Sequence, residues 1–206
     1  MIKIGMAGAH GTGKTSMAQA LLEHPAFENF VLVPSTARQI KAYGYPINRE
    51  ATELSQLLVP VLRMLDEHET ATNPQNTLYK QGMISDRTLI DSLAYTFYQN
   101  DHVWGNGALI ENVTRRLAEM HMKSYHFVLY FPIYWAVEED GVRDPDEDYR
   151  AEIDQYIVTG LESLEVPHMT VPDMSTDDRV QWFVHGIEMV YQELEAQYRE
   201  AFRDML

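Results

Sequence analysis

Gly8-Ala9-His10-Gly11-Thr12-Gly13-Lys14-Thr15 fits the phosphate-binding pattern G-x-x-x-x-G-K-[ST]. The flanking sequence gives the pattern its meaning. Residues 1–7, Met-Ile-Lys-Ile-Gly-Met-Ala, read as a short buried strand. Residues 16–23 read as a helix, with Met17/Leu21 and Ala18/Leu22 at i, i+4 spacing. A glycine loop between strand and helix lets backbone N–H groups turn inward around an anion, and the helix N-terminus adds partial positive charge. The nucleotide-binding stretch is then Gly8, His10, Gly11, Thr12, Gly13, Lys14, Thr15 and Ser16. Lys14 can reach the β- and γ-phosphates, and Thr15 can offer its hydroxyl to Mg²⁺. ATP with Mg²⁺ is the expected cofactor pair. His10 stands at a variable position of the pattern.

The remaining chain alternates short apolar runs with helical patterns. Strands are expected at 31–33, 83–85, 127–131 and 168–171, and Pro34, Pro132 and Pro172 stop three of them. Helices are expected from about Ser35, over 48–72, 90–99 and 108–122, over about 149–164, and from Asp177. In the 48–72 pattern Leu54, Leu57, Leu58, Val61, Leu62 and Leu65 share one broad face. Pro60 predicts a kink or two helices there, and residues 100–107 read as a loop. Five buried strands alternating with helices imply an α/β, three-layer fold, with a five-stranded parallel sheet covered on both faces. At 206 residues, 1–206 is read as a single domain. The charged stretch of about 138–150, containing Gly141 and Pro145, is expected to be an exposed, mobile lid.

Composition narrows the function classes. Lys and Arg total 16 against 31 Asp and Glu, for a net charge of −15. Such a surface repels nucleic acid and anionic membranes on average. No apolar run approaches the length of a membrane span, so no membrane partner is expected. The chain has no cysteine, which removes disulfides and thiolate chemistry and suits a cytoplasmic location.

In a parallel sheet covered by helices, ligands bind beyond the carboxyl ends of the strands. The third strand ends in Ser85-Asp86-Arg87. A carboxylate there can join a Mg²⁺ shell or accept a proton from an attacking hydroxyl, and the neighbouring arginine can steady phosphate oxygens. The fourth strand ends in Phe131-Pro132 with no acid, unlike a mechanical ATPase, and no Asn-Lys-x-Asp guanine-reading stretch occurs. Arg143 and Arg150 are candidates for arginines that a lid brings over the phosphates. Tyr43, Tyr45, Tyr95, Tyr98 and Trp104 are candidates for stacking on a base.

Residues 8–15, then Ser85-Asp86-Arg87 followed by Asp91-Ser92-Leu93-Ala94-Tyr95, then Asp140-Gly141-Val142-Arg143, occur in this order. The combination resembles the nicotinamide-riboside-kinase-like group of P-loop kinases, related to thymidylate and deoxynucleoside kinases and including many phage-encoded members. The resemblance runs from the first strand to about Val171. It implies a P-loop NTPase fold with Asp86 as catalytic carboxylate (and, with Thr15, metal ligand), Arg87 as a phosphate contact and Arg143 as a lid arginine. It also implies an adenine-side loop at 172–176. Such kinases often carry Glu-x-x-Arg after the second strand. This chain has Ser35-Thr36-Ala37-Arg38, keeping the arginine and replacing the acid.

These readings converge on a phosphotransferase moving the γ-phosphoryl of ATP to a hydroxyl of a nucleoside- or nucleotide-like acceptor. Lys14, Asp86, Arg87 and Arg143 would be the catalytic groups, and Ser35, Arg38, Tyr95 and Arg150 the acceptor contacts. Two alternatives stay open: a kinase acting on a hydroxymethylated base within phage DNA, and a non-catalytic ATP- or GTP-binding regulatory protein. A homodimer is compatible with either.

Overall fold

The computed structural model describes residues 1–105, 108–136 and 146–203. Five strands form one parallel sheet in the order β2-β3-β1-β4-β5. They are β1 (Ile2–Ala7), β2 (Phe30–Val33), β3 (Gly82–Asp86), β4 (Phe127–Tyr130) and β5 (Met169–Thr170). β1 is central, buried along nearly its whole length, because parallel strands joined by crossover helices are covered on both faces. Its side chains alternate between two cores. Ile4 and Met6 pack with Met17, Leu21 and Phe183, on the side of α1 (Lys14–Glu23) and α8 (Thr176–Arg203). Ala7 belongs to the other core, with Leu93, Ile153 and Ile157 of α5 (Leu89–Gln99) and α7 (Glu147–Ser163). The sheet therefore has helices on both faces, as the alternation of patterns implies.

The β1–β3 register pairs Met6 with Asp86, and the β1–β4 register pairs Ala7 with Tyr130. The glycine loop after β1 and the Asp86-Arg87 corner after β3 consequently emerge side by side at the carboxyl edge.

Several helical details go beyond the sequence reading or depart from it. Residues 48–72 hold a 3₁₀ turn (Asn48–Glu50) and then α3 (Glu53–Thr72), which continues through Pro60 as one helix. Its inward face is Ser55, Gln56, Pro60, Arg63 and Glu67, all buried, while Leu54, Val61 and Leu65 are exposed. The apolar stripe thus lies toward the outside, with Leu57, Leu58 and Leu62 half-buried at its margin. The physical reason is the position of α3, over polar strand ends that need hydrogen-bonding partners rather than over an apolar sheet face. Asn73-Pro74 ends α3 but also starts α4 (Pro74–Tyr79), with the Asn73 side chain accepting from the Gln75 N–H and Pro74 at the first helical position. Residues 100–104 form a π-helical turn rather than an irregular loop. The remaining helices are α2 (Thr36–Ala42) and α6 (Ala108–His121).

Glu67 shows how the inverted face of α3 is satisfied. Its carboxylate accepts from Ser85 Oγ at 2.7 Å, from Tyr125 OH at 2.5 Å and from His121 Nε2 at 2.6 Å, and it pairs with Lys3 Nζ. Burial alone would raise the Glu67 pKa. The His121 hydrogen bond, the Lys3 charge and the Tyr125 hydroxyl outweigh it and hold the carboxyl at about 2. A depressed carboxylate pKa contributes stability above the unfolded pKa and loses it as pH falls. The wild-type protein should therefore lose about 3 kcal/mol between pH 4.5 and pH 2 from this group. Glu67→Gln should cost roughly 3–5 kcal/mol at pH 7, because Lys3 is left buried without its counter-charge, and should flatten that acid limb. Urea unfolding across pH checks both.

Candidate functional site

The loop from Gly8 to Lys14 wraps around its own lysine. Gly13 caps α1 at φ 89°, a left-handed conformation that favours glycine. Gly8 packs so closely on β4 that an added Cβ would lie 2.7 Å from Phe131 O. Lys14 is buried, and its Nζ donates to Gly8 O at 2.8 Å, Ala9 O at 2.5 Å and Thr12 Oγ1 at 3.0 Å. Burial and then the Arg87 charge pull its pKa down to about 7, against opposing pulls from Asp91 and Asp86. The ammonium is held ready but poorly compensated. A bound polyanion would supply the missing charge.

Asp86 lies across the same cleft, and its Oδ2 accepts from Thr15 Oγ1 at 2.7 Å. Both residues line the cleft with Lys14, Ser16, Ser35, Arg38 and Arg87. A hydroxyl and a carboxylate this close are hard oxygen donors of the kind Mg²⁺ takes one or two of, filling its remaining sites with phosphate and water. The pair fits that ion, and Thr15 and Asp86 are the residues that would hold it.

Arg87 follows at φ 90°, a strained backbone for a residue with a side chain. Its guanidinium donates to Asp91 Oδ1 at 3.1 Å and lies 5.7 Å from the Tyr95 ring centre. Burial opposes its charge, but Tyr95 and Asp91 more than offset that and raise its pKa. Asp91 also accepts from the N–H groups of Gly8 (3.3 Å) and Thr88 (2.8 Å), tying the glycine loop to the start of α5. That role is invisible in the sequence, where Asp91 stands only as the first residue of the Asp91–Tyr95 stretch.

Behind Arg87 opens a second pocket, between α2, α3 and α5. Its walls include Thr36, Ile47, Gln56, Arg63, Ser92 and Tyr95. Arg87, Ala37, Ile47 and Asn48 line both pockets, so the two adjoin. Sequence reasoning found Tyr95 there but missed Thr36, Gln56 and Arg63. Of the other candidate stacking residues, Tyr43 is exposed, and Tyr98 packs edge-on against Tyr149. Neither they nor Tyr45 and Trp104 line this pocket. A third opening, past the far side of the glycine loop, is lined by Trp135, Met174, Ser175, Thr176 and Arg179. Arg179 lies 4.8 Å from the Trp135 ring centre and is anchored on Pro172 O at 3.0 Å. It includes part of the expected adenine-side loop at 172–176.

Arg150 corrects an expectation. It is fully buried, with Nε on His10 O at 2.9 Å, Nη1 on Trp135 O at 2.7 Å and Nη2 on Gly11 O at 3.3 Å. A guanidinium with three donors committed to loop carbonyls braces the glycine loop from α7. In this structure it lines neither the phosphate cleft nor the second pocket. Arg143 and most of the expected lid lie in 137–145, outside the described residues. The His10 ring is buried, 3.4 Å from Tyr95 OH and 6.0 Å from the Tyr149 ring centre.

With this geometry, comparison with known proteins becomes informative. The sequence profile of the family described as "AAA domain" matches residues 3–179. The chain belongs to that family. No curated protein sequence matches it. Among solved structures, NadR protein in complex with NR is similar at a TM-score of 0.71 and 16% identity, covering 93% of this chain and 51% of that one. The chain thus spans about half the length of NadR. Deoxyadenosine kinase from M. mycoides is similar at a TM-score of 0.64 and 12% identity, covering 91% and 100%. Thymidylate kinase from Ehrlichia chaffeensis gives 0.57 and 16%, covering 89% and 98%. At these identities the likeness establishes the fold, that of P-loop kinases. Among the described residues, no helix is long and apolar enough to cross a membrane.

The Lys14 environment has a measurable consequence. At pH 8 a lysine with a pKa of about 7 is mostly neutral, and a triphosphate would restore its proton. Calorimetric titration with MgATP at pH 8, in buffers of different ionisation enthalpy, should report net proton uptake. Lys14→Met should abolish the uptake and weaken binding. Binding without a proton change would contradict this account of the lysine.

Proposed function

We propose that the protein is an ATP-dependent kinase that transfers the γ-phosphoryl group, with Mg²⁺, to a hydroxyl of a nucleoside- or nucleotide-like acceptor. The observation that carries this reading is the junction of the phosphate cleft and the α2–α3–α5 pocket at Arg87. A sensor of ATP or GTP needs the first pocket only. A kinase needs a second site opening onto the γ-phosphate, with a carboxylate and a cation at the boundary.

In this reading Lys14 and the loop N–H groups hold the triphosphate, and its base lies in the Trp135/Arg179 opening. Mg²⁺, held by Thr15 and Asp86, would neutralise phosphate charge. The acceptor enters the second pocket so that its hydroxyl meets the γ-phosphorus near Arg87. Asp86 orients that hydroxyl and accepts its proton as the new O–P bond forms, while the bond to the β-phosphate oxygen breaks and ADP departs. Arg87 and Arg143 stabilise charge on the phosphoryl oxygens. Ser35 and Arg38, on the open side of the phosphate cleft, meet the exposed part of the acceptor. The strained Arg87 backbone supports a functional corner.

Labelled ATP offered with a broad acceptor panel tests the reading. Label should pass to a free nucleoside or nucleotide, with only a modest effect of salt, since net charge −15 disfavours a polyanionic acceptor. Asp86→Asn should lower transfer by on the order of 10²–10⁴ while ATP still binds. Arg143→Ala should lower kcat far more than it raises the ATP Kd. Transfer to hydroxymethylated DNA with every free acceptor inert would overturn the acceptor. ATP binding without transfer to anything would overturn the kinase.

A further inference from the structure

Thr36, at the start of α2, carries an observation the proposed mechanism leaves unused. It is 2% exposed, it lines the α2–α3–α5 pocket, and its hydroxyl has no hydrogen-bond partner. A buried hydroxyl without a partner is costly and is relieved by whatever completes it. The surroundings limit what that can be. The charged side chains lining the pocket are Arg63, Arg87 and Asp91. Asp91 is committed to Arg87, Thr88 and the Gly8 N–H. Arg63 is buried, with Nη1 on Val33 O and Nη2 on Asp86 O. Two guanidinium groups and one carboxylate line the pocket, so a cationic ligand entering it meets like charge on its walls. Ile47, Val59, Ala51 and Pro46 supply apolar walls suited to a flat ring. The Gln56 amide is fixed at the wall by its Nε2 bond to Ser92 O at 2.9 Å.

We infer that Thr36 is a specificity-determining residue whose hydroxyl pairs with the polar edge of an uncharged acceptor ring, and that the pocket rejects a cationic ring such as a pyridinium nucleoside. The inference rests on the assignment of this pocket to the acceptor, but it concerns binding and does not require turnover. The selectivity follows from Arg63 and from Thr36, neither of which is a general requirement of phosphoryl transfer.

Equilibrium binding tests it. Wild type, Thr36→Val and Thr36→Ser are each titrated with neutral nucleosides and with nicotinamide riboside, the cationic probe, in the presence of Mg²⁺ and a non-hydrolysable ATP analogue. Wild type should bind at least one neutral nucleoside about tenfold or more tightly than the cationic one. Thr36→Val keeps the β-branched shape and removes only the hydroxyl. It should weaken that nucleoside about fivefold to twentyfold, a range set by the loss of one hydrogen bond. The affinity for the ATP analogue should be unchanged, and the Tm of the free protein should be unchanged or higher, since an unpaired hydroxyl has gone. Thr36→Ser should retain affinity. A Thr36→Val protein that binds the nucleoside equally well, or a wild type that prefers the cationic ring or binds no nucleoside, would overturn the inference. So would a lowered Tm with unchanged affinity, which marks a hydroxyl that serves the fold. Tight, Thr36-dependent binding without phosphoryl transfer would leave the inference standing and remove the kinase reading alone.

Discussion

One buried guanidinium holds the carboxyl edge of the sheet in working order. Arg63 reaches from α3 to the carbonyls of Val33 and Asp86, the last residues of β2 and β3. A charge buried at this depth is tolerated only when its donors are satisfied. Here the satisfaction comes from strand-end carbonyls that would otherwise lack partners. The clamp fixes where β2 delivers Ser35 and Thr36, and where β3 delivers Asp86 and Arg87. The β1–β3 register then places Asp86 within hydrogen-bond reach of Thr15. One contact thus supports the phosphate cleft and the α2–α3–α5 pocket together.

The same clamp accounts for the inverted helix. An amphipathic pattern tells which residues share a face but not which face points inward. In α3 the inward face serves the strand ends, so it carries Ser55, Gln56, Arg63 and Glu67, and Leu54, Val61 and Leu65 turn outward. Periodicity read with the ordinary assumption of an apolar interior gives the opposite orientation. The glycine loop, the strands and the Asp86-Arg87 corner were legible because their chemistry is local. A loop that must surround an anion needs its glycines and lysine in sequence, and a buried parallel strand needs an unbroken apolar run.

What was not legible is set by long-range contacts. Arg150 sits at the end of a run of charge and reads as solvated or mobile, but the carbonyls of His10, Gly11 and Trp135 converge on it from two other segments. Asp91, given no role of its own in the sequence reading, proves to be the tie between the glycine loop and α5. Thr36 and Gln56 carry no charge and belong to no motif. Their place in the second pocket exists only once α2, α3 and α5 are packed together. The acid missing at Ser35 was visible in the sequence. The pocket beside it, with its net positive lining, was not.

The central claim is that two pockets form one cleft meeting at Arg87, one for a triphosphate and one for its acceptor. The most direct measurement is the affinity of a series of dinucleoside oligophosphates, an adenosine joined through phosphates to a neutral nucleoside. If the pockets are collinear, one linker length should bind tighter than ATP by on the order of 10²-fold or more, since the second contact becomes intramolecular. Both Arg87→Ala and Thr36→Val should reduce that gain. A series that binds no tighter than ATP at any length would show that the pockets do not share a reaction path.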